Sequence, residues 1–228
     1  MCGRYTNTVG PEELNERFGI PMLGEQGTRR YNIAPTEQVL AIVAPEGAPE
    51  ARMLRWGLVP HWAKELRIGN KMINARLETV ATSSAYGPLI AKGSRRALQI
   101  ADGYYEWLKA EHRGQPRQPF LFRVDGGIPF AFAALWTPAR VQGQHVESVV
   151  LLTCDSSANR VAAAVHDRMP VILADAEAQR AWLNPRLDAQ DVLALCAPLP
   201  QQRLSASPAN PAVNKAGVDG PEMIVAPD

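Results

Sequence analysis

Apolar and polar positions alternate along much of the chain in short runs, and that period predicts strands. The runs are VLAIVA around Val39, the segment from Met53 to Val59, ALQIADGYYEW, PFLFRV, IPFAFAALW, ESVVLLT and MPVIL. Proline and glycine punctuate many of them. A helical period appears at PEELNERFG, where Pro11 sits early, acidic residues follow and Gly19 supplies a stop. SANRVAAAVHD, DAEAQRAWLN and DAQDVLALC also read as helices, with Asp175 and Asp188 as N-caps of the last two. Many short strands with few helices predict an α+β fold, a single domain over residues 1–228 on an antiparallel or barrel-like sheet core with a few flanking helices. Regular βαβ alternation is missing, which argues against a doubly wound parallel sheet. The tail from Gln201 is rich in Pro, Ala and Asn; it reads as loose, or as docking a last strand through Ile224 and Val225.

Composition leaves this picture intact. The 228 residues are 46% hydrophobic and 21% charged, as in an ordinary globular protein able to bury a sizeable core. No apolar run approaches the ~18 residues of a membrane span. MCGRYTNTVG has no apolar signal core, so a cytoplasmic protein is expected, at the nucleoid on damage if bacterial. Three widely spaced cysteines fit a reducing compartment, with Cys154 and Cys196 in apolar contexts as core residues.

The net charge of +1 carries no global nucleic-acid signal. Its distribution does. Arg52, Arg55, Lys64, Arg67, Lys71, Arg76, Lys92, Arg95 and Arg96 are opposed within their span by Glu65 and Glu78 alone, for a local +7. Such a stretch could follow a phosphate backbone or form a solvated face balanced elsewhere.

Candidate chemistry begins at Cys2. Initiator methionine is removed when the second residue is small, and a terminal cysteine is then a 1,2-aminothiol. Reference pKa values near 8 for the amine and 8.5 for the thiol leave both partly nucleophilic at neutral pH. With an aldehyde, the amine forms a Schiff base and the thiol closes a five-membered thiazolidine. A retained Met1 would block the amine, and a second-position cysteine can equally be incidental. In DGYYEWLK, Glu106 stands among aromatics that could desolvate it and suit it to proton transfer, or it is the exposed residue of an alternating strand. In AVHDRMP, His166 closes the expected helix as a proton shuttle or a structural residue, and Arg168 follows as a phosphate ligand. In MINARLET, Asn74 and Arg76 at strand spacing share a face, an amide to orient and a fork to meet phosphate. In WGLVPHW, Trp56 reads as core; His61 and Trp62 stand among basic residues, with Trp62 as the stacking candidate for a single strand. Scattered histidines without zinc spacing, and no phosphate loop or dinucleotide pattern, predict no metal and no cofactor.

MCGRY, RYNIAPT, RWGLVPHW, MINARLET, ADGYYEW, HDRMP and SASPANPAVNKAGVDGPEMI occur in order over nearly the whole chain. Together they resemble the SRAP family (SOS response-associated peptidase) of abasic-site processing proteins. The resemblance implies a monomer that loses Met1, binds single-stranded DNA or a junction with duplex, and traps the ring-opened abasic sugar on Cys2 as a thiazolidine. It implies that Asn74 orients the sugar or the cysteine, that Glu106 is acid and base around the Schiff base, and that His166 assists ring opening. Arg4, Arg76 and Arg168 fall where the family binds phosphates or the lesion, and Pro35 and Trp62 in segments that shape the DNA surface. Autopeptidase, lyase-like and crosslink-reversal activities are implied as well. The chain departs from the family pattern at Ala63, where many bacterial relatives carry a second tryptophan, and at Leu204–Ser207, which leaves open whether a tail serine lies near the site; Asn214 matches. Two other readings remain: a non-catalytic single-strand-binding module, and a glutamine amidotransferase with an N-terminal nucleophile, which would explain Met-Cys-Gly but not the later segments.

Overall fold

The computed structural model describes residues 2–21, 29–108 and 117–226. Along the chain come Arg4–Asn7 (β1), Pro11–Phe18 (α1), Arg30–Ile33 (β2), Gln38–Val43 (β3), Glu50–Trp56 (β4) and Asn74–Arg76 (β5). Gly87–Ala91 (α2), Arg96–Ala101 (β6), Gly103–Trp107 (β7), Pro119–Val124 (β8), Phe130–Val141 (β9) and Gln144–Asp155 (β10) follow. The chain continues through Arg160–Ala163 (α3), Arg168–Pro170 (β11), Ile172–Leu173 (β12), Ala176–Leu183 (α4), Ala189–Ala194 (α5) and Leu204–Pro208 (β13).

The strands form two sheets. In the larger, β10, β4, β3, β6 and β9 pair in turn and β9 returns to β10, so the five close into a barrel; β11, β12 and β5 extend it. The β9–β10 hairpin turns through Gln142 (φ 50°) and Gly143 (φ 82°), a geometry matched to strand twist. The second sheet has the order β13-β8-β7-β1-β2 and is antiparallel throughout. The expected α+β architecture is therefore present. Aromatic rings bind the layers, Tyr5 meeting Trp56 and Phe132 edge-on at 5.3 and 5.7 Å, while within the small sheet Tyr104 stacks on its cross-strand neighbour Phe122 at 4.8 Å. Each such pair contributes roughly 0.5–1.5 kcal/mol beyond its buried area.

Helix α1 starts at Pro11 and stops at Gly19, whose φ of 65° only glycine adopts without strain. Asp188 forms a full capping box with Asp191 at α5. Asp175 precedes α4 but makes no cap; its carboxylate pairs with Arg203 instead.

Three expectations are corrected. ALQIADGYYEW is two strands in different sheets, broken where the Asp102 carboxylate takes the hydroxyls of Thr6 and Thr8 and the Thr8 N–H. SANRVAAAVHD forms helix only over Arg160–Ala163, capped by Asn159; His166 lies beyond it, where the chain turns into β11. Ile224 and Val225 add no strand. The last strand is β13, and Asp219 straps the tail to β2 by accepting the N–H groups of Tyr31 (2.6 Å) and Asn32 (3.0 Å). Of the two readings of the basic stretch, balance by acidic residues is seen at several positions: Arg52 pairs with Glu50 and Glu147, and Arg67 with Glu65, while Arg95 lies over Trp136.

Arg96 fits neither reading of the basic stretch. It is fully buried and donates to the carbonyls of Asn184 (2.9 Å) and Leu187 (2.6 Å), with longer contacts to Ile90 and Trp182. It ties barrel strand β6 to the loop between α4 and α5. Arg96→Met leaves these acceptors unsatisfied and is expected to cost about 3 kcal/mol in urea unfolding; a loss below roughly 0.5 kcal/mol, the range of an ordinary surface change, would contradict this assignment.

Two glycines deliver the chain to the site. A Cβ on Gly57 (φ 119°) would meet the Gly69 carbonyl, and one on Gly69 would meet that of Gly57. Their close crossing presses the 3-10 turn Leu66–Lys71 onto the end of β4, and β5 then pairs with β10 in parallel, Asn74 opposite Leu151.

Candidate functional site

Strand β1 lies antiparallel to β7, with Arg4 opposite Tyr105 and Tyr5 opposite Tyr104. Carried back toward the chain start, this register brings Gly3 and Cys2 alongside Glu106 and Trp107. Cys2 is fully buried, and its thiol lies 3.7 Å from the Arg4 carbonyl. From the barrel side, Asn74 Nδ2 donates to the Cys2 carbonyl at 2.9 Å. Asn74 Oδ1 is also buried and has no hydrogen-bond partner among the described residues. Thus an amide from the large sheet holds the residue that opens the small sheet.

Glu106 is 3% exposed, so it is not the solvent-facing residue of an alternating strand. Burial raises its pKa above the usual carboxyl range, favouring the neutral acid. Burial, reinforced by Glu106, also pushes the Cys2 thiol far up. This corrects the expectation of a partly ionised thiol: Cys2 holds its proton at neutral pH, and sulfur chemistry here requires a nearby base. Cys154 and Cys196 are core thiols, pushed by burial up to about 11 and about 12.

His166 enters from the turn before β11, and Arg168 from the first position of that strand. The Arg168 N–H lies 3.0 Å from His166 Nδ1, and an Asp167 carboxylate oxygen lies 2.8 Å from the same nitrogen. His166 borders a cleft of about 320 Å³ lined by Leu108, Asp155 to Ser157 and Ala163 to Asp167. The Arg168 guanidinium is occupied: Nη1 and Nη2 reach the Glu78 carboxylate at 2.6 and 2.9 Å, and Nη2 also donates to the Thr153 carbonyl at 2.6 Å.

Arg4 adjoins this centre through its carbonyl, while Arg76, Pro35 and Trp62 lie on other segments of the chain. Asn74 and Arg76 point to one face of β5 as expected, Arg76 being exposed. Arg4 is half-buried and bonds the Gly3 carbonyl at 2.8 Å; desolvation lowers its pKa. Pro35 lies in the turn whose Thr36 carbonyl accepts from Arg55 at 2.7 Å. Trp62 is 55% exposed, whereas Trp56 is core and Ala63 is buried. Ser205 and Ser207 are exposed on β13, separated from β1 by β8 and β7, so neither tail serine stands at Cys2. Asn214 accepts from Trp107 Nε1 at 2.6 Å, clamping the end of the strand that carries Glu106. Glu78 had read only as an acid opposing basic neighbours; its position two residues after Arg76 was the available signal.

Fold and site define an α+β protein that holds a second-position cysteine at a sheet junction beside a buried carboxyl group. The chain belongs to the SOS response associated peptidase (SRAP) family, whose model matches residues 1–216. It is 34% identical to abasic site processing protein YoqW of Bacillus subtilis, over 98% of this chain and 99% of the relative. It is 30% identical to abasic site processing protein YedK of Escherichia coli, again over 98% and 99%. Among solved structures, a phage-related protein of Bordetella bronchiseptica is 31% identical with a TM-score of 0.71, covering 92% of this chain and 94% of that one. A protein of Bacteroides thetaiotaomicron has a TM-score of 0.83 at 21% identity, covering 99% and 100%, a likeness of fold.

Proposed function

We propose that this protein processes abasic sites in single-stranded DNA by linking Cys2 covalently to the opened sugar as a thiazolidine. The observation that carries the reading is the junction itself, where Cys2 is tethered by Asn74 and backed by Glu106, a buried carboxyl group whose pKa desolvation raises. The names carried by YoqW and YedK support abasic DNA as the substrate class. Exposed Trp62 and Arg76 suit stacking and phosphate contact.

Loss of Met1 frees the Cys2 amine. His166 assists opening of the sugar hemiacetal to the aldehyde. The amine adds to the carbonyl carbon, and the nitrogen proton passes to oxygen. Protonated Glu106 then donates to the departing hydroxyl, releasing water and leaving an iminium and a carboxylate. As the sulfur attacks the iminium carbon, that carboxylate takes the thiol proton, which restores neutral Glu106. One water leaves in total, and no oxidant or reductant is needed. Ring closure joins groups on one residue, so it is effectively unimolecular.

Asn74→Ala is expected to slow adduct formation roughly 10- to 100-fold through misplacement of Cys2, with noncovalent affinity within about threefold. Single-turnover rates and anisotropy titrations measure the two quantities; equal loss in both would assign Asn74 to binding. The function itself is tested on a denaturing gel, using a uracil-containing strand with and without uracil glycosylase treatment. A slow-migrating species is expected with the treated strand alone. Its absence, or its appearance with both strands, contradicts the proposal.

A further inference from the structure

The Arg168 fork is already occupied by a carboxylate. Both terminal nitrogens reach Glu78, and Glu78 also accepts the Asp155 N–H at 3.2 Å. The two partners are unequally placed: the Glu78 side chain is 47% exposed and that of Arg168 only 16%. A phosphate approaching Arg168 from solvent therefore meets Glu78 first. β10 brings the two arginines to one neighbourhood, setting Thr153 opposite Arg76 and Asp155 opposite Arg168. Thr153 anchors Arg168 independently through its carbonyl.

We propose that Glu78 is a latch on Arg168 which a DNA phosphate must displace, and that Glu78 thereby sets the affinity for single-stranded DNA. The inference rests on the reading that this chain binds such DNA. Carboxylate and phosphate compete for the same planar fork. During the exchange Nη2 stays on Thr153, so the guanidinium is already oriented when Glu78 withdraws. Glu78 remains ionised at neutral pH because the Arg168 hydrogen bonds lower its pKa. It touches no DNA and acts through Arg168, as a positioning residue.

The test is noncovalent binding of an undamaged oligothymidylate by fluorescence anisotropy over a salt series. Wild type, Glu78→Gln, Arg168→Gln and the double variant are compared. Glu78→Gln is expected to tighten binding roughly three- to fivefold without adding a phosphate contact, so the slope of log affinity against log salt changes by less than the ~0.7 that one further contact on a single strand would add. Arg168→Gln weakens binding, and in that background Glu78→Gln gains nothing. Unchanged or weaker binding by Glu78→Gln overturns the latch, as does an equal gain without Arg168, which would mark a general charge effect. Should Glu78→Gln not fold, Glu78→Asp keeps the charge but draws it back from the fork. A smaller gain in the same direction is then expected, and no gain overturns the proposal. If wild type binds the strand and only the variants fail to respond, the latch alone fails; if wild type binds no single strand, the functional reading fails with it.

Discussion

Cys2→Ala abolishes the denaturation-resistant species formed with abasic single-stranded DNA and leaves noncovalent affinity within about threefold, as for loss of a small side chain outside the charged contacts. The effect is all-or-none because the ring requires sulfur and nitrogen on the same residue. Alanine keeps the amine, so a reversible Schiff base still forms and borohydride reduction still traps it. Cys2→Ser behaves similarly, since its hydroxyl is a poor substitute for the thiol. The pair of measurements separates the proposed chemistry from a binding module that merely begins with cysteine. For such a module the variant and the wild type give the same gels with and without reductant. Cys2 is fully buried, so melting curves accompany the assay to confirm that the variants are folded.

Glu106→Gln slows adduct formation by roughly 10²- to 10⁴-fold, the usual scale for a positioned acid–base group, while binding changes little. Glutamine keeps the shape but can neither donate to the departing hydroxyl nor accept the thiol proton. The pH profile carries the sharper signature. The wild-type rate falls on the acid side as the amine protonates. It falls on the alkaline side as Glu106 ionises, at a pH above the ordinary carboxyl range because burial raises its pKa. Glu106→Gln loses the alkaline limb. Stability moves the other way. A carboxyl group whose folded pKa lies above its unfolded value contributes stability below the ordinary range and loses it as pH rises through the raised value. Glu106→Gln therefore melts at least as high as wild type at neutral pH and declines less from mildly acidic to neutral pH. Equal losses of rate and affinity, or an unchanged profile, would remove Glu106 from proton transfer.

Local pattern carried much of this architecture. Pro11 and Gly19 bound α1 because each restricts or frees φ in a way neighbours cannot override. The strand runs were legible because their alternation matches a half-buried sheet. A barrel-like core was expected, but the pairing that closes it was not legible, since it depends on β10 lying parallel to β4, joining Ser148 to Arg55 across a long stretch of chain. The break at Asp102 was hidden for the same reason: its partners Thr6 and Thr8 lie at the other end of the sequence.

At the site, residue types were legible and environments were not. Alternation alone allowed Glu106 to face solvent or core, and only the packed sheet buries it. Arg96 read as one charge of the basic stretch and Arg168 as a phosphate ligand, yet one is a buried scaffold bonded to carbonyls and the other is held by Glu78. Cys2 had suggested a reactive thiol by position, whereas burial holds its proton and makes a neighbouring base necessary.

Intact mass spectrometry of the purified protein, before and after incubation with a glycosylase-treated uracil oligonucleotide, bears most directly on the central claim. The protein alone should have the mass of a chain beginning at Cys2. The product should weigh that chain plus the abasic strand less one water, and should persist through denaturation without reductant. A chain that keeps Met1, or one that never gains the strand's mass, contradicts the account.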